Sequence, residues 1–149
     1  MRTRAAVGRA IRSAVAVICY LDSNVVMYYI ERPPRWGVAA QTRIAQLLSG
    51  GHTLAVSDLT RMECRVRPLR AGDTKTLAEF DAFFASSRVQ VNSMTAAVFD
   101  RAAAIRAHRG FKPLDALHLA AALEAGCDLF LTNDSHLRTF PDLPVEVLS

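Results

Sequence analysis

The chain has 149 residues, 51% of them apolar, and a slightly positive mean hydropathy, which suits one domain with a single core and argues against disorder. The formal net charge of +4 is owed to Arg2, Arg4, Arg9 and Arg12, because from residue 13 onward 14 basic residues face 14 acidic ones. Total charge therefore makes no case for a nucleic-acid face, which would have to come from clustering. Cys19, Cys64 and Cys127 are too few and too scattered for a zinc site or a disulfide framework.

Residues 1–15 read as a flexible basic extension. With apolar Ala14–Leu21 behind it, that stretch superficially resembles a targeting sequence. The apolar run is only eight residues long, far short of a membrane span, and it ends on Asp22. A soluble, cytoplasmic protein with one domain over residues 16–149 is expected. Val15–Leu21 is continuously apolar and rich in β-branched residues, the pattern of a central strand buried on both faces. A short helix over 24–30 follows, stopped before Pro33-Pro34, and then a helix over 38–48 ending at Gly50-Gly51. Residues 52–56 form a second strand, and Ser57-Asp58 caps a helix running through Glu63 to about Arg67.

Asp73 caps a further helix bearing Leu77, Phe80, Phe83 and Phe84, followed by a short strand over 88–91. Thr95 starts a long helix that ends at Gly110. Lys112-Pro113 opens another, over 114–125. Strands over 128–132 and 145–147 complete the chain. Strands separated by helices give βαβ units, so the expected architecture is a three-layer α/β/α sandwich around a mostly parallel sheet of about five strands.

Within that frame four acids stand out. Asp22 and Asp134 directly follow strands, Asp115 lies in the first turn of a nearly all-apolar helix, and Glu63 sits one and a half turns into its own. Open α/β sheets gather ligands at the carboxyl ends of their strands. Carboxylates collected there repel one another unless a cation intervenes, and hard divalent ions prefer oxygen ligands. The pattern reads as a metal-dependent phosphoryl-transfer site. Each acid also has a structural explanation: Asp22 and Asp134 as caps, Asp115 through the helix dipole, Glu63 as solvated surface. Arg61 and Arg65 share a helix face from which Glu63 points away. His118, three residues beyond Asp115, is either a general base or a packed, hydrogen-bonded residue; His136 reads as structural.

The segments Tyr20–Asn24, Glu63, Leu114–Ala120 and Leu131–Asp134 together resemble the PIN domain, and within it the VapC ribonuclease toxins of type II toxin–antitoxin modules. The resemblance covers roughly residues 17–148. It implies a Mg²⁺- or Mn²⁺-dependent endoribonuclease with catalytic Asp22, Glu63, Asp115 and Asp134, of which Asp22 and Asp115 are the metal ligands. It also implies a VapB-type antitoxin partner and assembly as a homodimer or toxin–antitoxin hetero-oligomer. Attack by water should leave a 5′-phosphate and a 3′-hydroxyl. Ser23, Arg61, Arg65, Thr132 and Asn133 are candidates for substrate contact, and residues 31–37 for a specificity loop. The rival reading is a non-catalytic protein- or RNA-binding module. A dehalogenase-like phosphatase is disfavoured because Asn24 stands where a second aspartate is needed, and a receiver-like domain because neither Lys75 nor Lys112 follows a late strand.

Overall fold

A computed structural model of the chain describes residues 15–149. The basic extension expected over residues 1–15 falls, except for Val15, outside them. Five strands form one sheet: β1 (Ile18–Leu21), β2 (Thr53–Ser57), β3 (Val89–Asn92), β4 (Leu129–Thr132) and β5 (Val145–Val147). Their order is β3-β2-β1-β4-β5, and every neighbouring pair is parallel. Six helices cover the sheet: α1 (Ser23–Glu31), α2 (Pro34–Ser49), α3 (Asp58–Ala71), α4 (Thr74–Ala85), α5 (Ala96–Arg109) and α6 (Pro113–Glu124). No helix among the described residues is long and apolar enough to cross a membrane.

The alternation of side chains along each strand divides the interior into two cores. Cys19 and Leu21 of β1, Leu54 and Val56 of β2, and Leu129 and Leu131 of β4 face α1, α2 and α4, where Val26, Ile44 and Phe80 are fully buried. Tyr20, Ala55 and Phe130 face the opposite way, onto α5 and α6. Helix α6 is pressed into that second core on most sides, with Ala116, Leu119, Ala120, Ala121 and Ala122 buried, which accounts for its apolar sequence. The cysteines are free and buried; burial first, then neighbouring acids, pushes the Cys64 and Cys127 thiols up to about 12. Arg43 of α2 forks onto both carboxylate oxygens of Glu146, tying edge strand β5 to that helix.

Several expected boundaries moved, among them the start of β1, which is Ile18 and not Val15. Helix α2 begins at Pro34, not Val38, since proline suits the first helical turn, where its missing N–H is not needed. The expected loop over 31–37 thereby shrinks to Arg32 and Pro33. Helix α3 continues past Arg67 through Pro68 to Ala71. A 3₁₀ turn over Ser135–Thr139, capped by Asp134, follows β4.

The α1–α2 turn is closed by a close approach. Arg32 takes a left-handed conformation with φ 58°, and a Cβ on Gly37 would lie 2.6 Å from both the Cα and the carbonyl carbon of Arg32. Backbone cannot rotate aside as a flexible side chain can. Gly37→Ala is therefore expected to destabilise the fold by about 1–3 kcal/mol, seen as a lower urea midpoint at unchanged slope. An unaltered midpoint would show that the turn can open at no cost.

Candidate active site

The sheet order reverses between β1 and β4. From β1 the chain builds outward through β2 and β3 on one side, and through β4 and β5 on the other. Helices leaving two such strands diverge, and a crevice opens beyond the strand ends. An open cavity of about 460 Å³ lies there, lined by Asp22, Ser23, Asn24, Glu63, Lys112, Pro113, Leu114, Asp115, His118 and Asp134. All four acids singled out in the sequence are thus brought to one place.

Asp22 extends the β1–β4 ladder by one residue, its amide donating to the Leu131 carbonyl (2.9 Å). Its carboxylate caps α1, with Oδ1 accepting from the Ser23 amide (2.9 Å) while Oδ2 accepts from the Thr132 hydroxyl (2.8 Å). The same Thr132 oxygen accepts from the Asp134 amide (3.1 Å), and Asp134 Oδ1 accepts from the His136 amide (2.9 Å). One buried threonine therefore fixes the two strand-end acids relative to each other. The cap explanation for Asp22 and its place in the crevice turn out to be compatible.

Asp115 occupies the first turn of α6, where a negative charge is ordinarily favoured. Its carboxyl is nevertheless held above the usual carboxylate range, first by burial and then by the charges of Asp22 and Asp134, against the opposing pull of His118 and Lys112. Glu63 goes the other way. Burial raises it, but hydrogen bonds from His118 and Ser23 and the charge interaction with His118 outweigh that, and the net shift is downward. Ser23 Oγ donates to Glu63 Oε1 (2.7 Å), and His118 Nε2 lies 2.6 Å from the same oxygen.

The remaining candidates divide. Ser23 lines the crevice. Thr132 is fully buried, its hydroxyl on Asp22 and not in the crevice lining. Asn133 donates to the Tyr28 hydroxyl (2.9 Å) and accepts from Asn24. Arg61 and Arg65 are outside the lining: Arg61 lies over the Phe84 ring and Arg65 pairs with Asp81 of α4. Of the two readings of His118, the packed, hydrogen-bonded one agrees with its position; it is 2% exposed. Lys112 was read only as a helix opener, yet it lines the crevice. Its spacing of three from Asp115 around a helix start was the available signal.

Among the described residues, no three His, Cys, Asp or Glu side chains converge closely enough to enclose an ion by themselves. The donors nonetheless suit one kind of cation. Mg²⁺ keeps several waters and is commonly held by only one or two carboxylates, so a roomy crevice with mutually repelling acids fits it better than a closed cage would.

A topological switch point lined by acids, on an all-parallel five-stranded α/β/α sheet, defines the class. The chain belongs to the PIN domain family, whose pattern matches residues 19–143. It is 31% identical over 127 residues to Ribonuclease VapC19 of Mycobacterium tuberculosis, an alignment that covers 83% of this chain and 94% of the relative. Among solved structures it shares its fold with VapBC2 from Rickettsia felis, bound to a DNA fragment from their promoter. That likeness has a TM-score of 0.71 at 19% identity, over 89% of this chain and 99% of that one. Mycobacterium tuberculosis VapC20, a Sarcin-Ricin loop cleaving toxin, matches with a TM-score of 0.61 at 18% identity, over 75% of this chain and 86% of that one.

Proposed function

We propose that this chain is a metal-dependent endoribonuclease and the toxin of a VapBC-type toxin–antitoxin module. The observation that carries the reading is geometric: Asp22, Glu63, Asp115 and Asp134 line one open crevice beyond the strand ends, a place suited to positive charge. The likeness to a named ribonuclease supports RNA as substrate, and the VapBC complexes that share the fold support a VapB-type antitoxin as partner.

Asp22 and Asp115 would hold Mg²⁺ or Mn²⁺, with Asp134 beside them. The ion, when bound, supplies Lewis-acid polarisation of the phosphodiester and lowers the pKa of bound water. Asp22 is pre-positioned for this by the Ser23 amide and Thr132, so little side-chain entropy is lost on engagement. Glu63 stays ionised at neutral pH and has one oxygen clear of its partners, which suits it to orient a water and accept its proton. Lys112 at the mouth can pair with a phosphate oxygen of the RNA.

The decisive experiment is cleavage of RNA by the purified full chain. Scission is expected with Mg²⁺ or Mn²⁺, should stop on adding EDTA, and should leave 5′-phosphate ends; Asp22→Asn should abolish it. A 2′,3′-cyclic phosphate product would contradict attack by water. A well-folded protein that cuts no RNA with either ion would replace this reading with a non-catalytic binding module.

A further inference from the structure

Beneath the crevice runs a chain of hydrogen bonds that the four acids do not explain. His118 Nδ1 lies 2.7 Å from the Tyr20 hydroxyl, and that hydroxyl lies 2.9 Å from Ser57 Oγ. At the other side of the ring, Nε2 lies 2.6 Å from Glu63 Oε1 and 3.1 Å from Ser23 Oγ. Tyr20 and Ser57 are fully buried and His118 nearly so, and no water-filled route is needed to satisfy any of them. The residues come from β1, the β2–α3 junction, α3 and α6. One polar thread therefore crosses the apolar second core to reach a single carboxylate oxygen.

Proton counting leaves one neutral arrangement. A bare Nε2 lone pair cannot face an ionised carboxylate oxygen at 2.6 Å, so Nε2 must carry the ring proton and donate to Glu63. Nδ1 is then an acceptor, and its one partner is Tyr20. The Tyr20 hydroxyl, 2.7 Å away, is the group placed to donate to it. The single phenol proton has two acceptors in reach, Ser57 Oγ at 2.9 Å and Nδ1 at 2.7 Å; turned to the nearer Nδ1, it leaves the rotatable Ser57 hydroxyl to donate to the Tyr20 oxygen. Both donors to Glu63, His118 and Ser23, land on Oε1, and among the described residues Oε2 takes no hydrogen bond.

We propose that Tyr20 and His118 are positioning residues for Glu63: the Tyr20 hydroxyl anchors the His118 ring at Nδ1, so that Nε2–H clamps Oε1 and leaves Oε2 turned to the crevice. The activity readout of this inference rests on the ribonuclease reading above, but the ¹⁵N readout does not. A ring held by a partner on its far side is a recognised way to orient an active-site group. Here it orients a carboxylate that meets water, and the device sits wholly inside the protein.

The test pairs imidazole ¹⁵N spectra with RNA-cleavage kinetics. In the wild type, His118 should show a protonated Nε2 and a bare Nδ1. Tyr20→Phe deletes one hydroxyl while keeping the ring stacked on Phe130, and it should move the Nδ1 resonance, which loses its hydrogen bond, while Glu63 keeps Nε2 protonated. The same variant should lower kcat roughly 10–100-fold with little change in KM for RNA, the range typical of lost outer partners. His118→Leu should lose at least as much, and His118→Gln should recover a large part because its amide N–H can reach Glu63. Wild-type His118 protonated on Nδ1 would overturn the inference. So would a Tyr20→Phe enzyme with an unchanged Nδ1 resonance and kcat, or losses in all three variants that merely track the unfolded fraction by circular dichroism. Should the wild type cut no RNA, the ribonuclease reading fails, and the ¹⁵N comparison alone decides the positioning.

Discussion

Asp115→Asn is expected to make the protein more stable at neutral pH while lowering RNA cleavage about 10²–10³-fold, the loss usual when one preorganised charge is removed from a site. The stability gain follows from the raised carboxyl. Placement in the first turn of α6 favours the charge by about 0.3–1 kcal/mol, yet burial, Asp22 and Asp134 outweigh that, since the net shift is upward. In the folded state the ionised form is therefore penalised relative to the unfolded chain. That penalty is complete above the raised folded value, is relieved as pH falls through it, and is gone below the ordinary carboxylate range, where both states are protonated. The variant should thus be more stable than the wild type at pH 7, with the gap closing on acidification. Urea unfolding at several pH values checks both. A less stable variant at pH 7, or a gap that does not depend on pH, would remove the electrostatic account of Asp115.

Divalent cations should raise the thermal midpoint of the wild type well beyond what equal ionic strength of NaCl achieves. An ion that binds only the folded state at 100 times its Kd adds about 2.7 kcal/mol. For a chain of this length that corresponds to roughly 5–10 °C. The increment should nearly vanish in the Asp22→Asn/Asp115→Asn double variant, which removes the two expected ligands and the repulsion the cation relieves. It should also shrink as pH falls, because protons compete for Asp115. Scanning calorimetry with Mg²⁺, Mn²⁺ and NaCl distinguishes the cases. Equal increments in wild type and double variant would mean general screening and no site.

Much of the fold was written in local pattern. The uninterrupted apolar run ending in Leu21 could only be a doubly covered strand, and Val145–Val147 and the glycine stops fell where expected. Position in space was less legible. Pro33-Pro34 looked like a barrier because proline ends a helix it enters from inside, whereas Pro34 opens one. The four acids could be grouped because each stood at a strand end or helix start, and the sheet order then did the assembling. What eluded the sequence was partnership across the core. Tyr20 was counted as one more apolar position, and nothing near it announces a hydrogen bond to a residue 98 positions away. Thr132 looked like a substrate contact for the same reason: its partner, Asp22, is 110 residues distant. Arg61 and Arg65 were known to point away from Glu63, but their partners, the Phe84 ring and Asp81, lie on another helix and left no trace near them in the sequence.

The pairing of β1 with β4 has a consequence in time as well as in space. Asp22 emerges early in synthesis, but its carboxylate is fixed by Thr132, and its companions Asp115 and Asp134 come from the last third of the chain. Contacts of such separation are among the last to close during folding, since the intervening loop must first surrender its entropy. A nascent chain still short of residue 134 has no complete crevice. Any chemistry that needs Asp22, Asp115 and Asp134 together therefore has to wait until the chain is nearly complete.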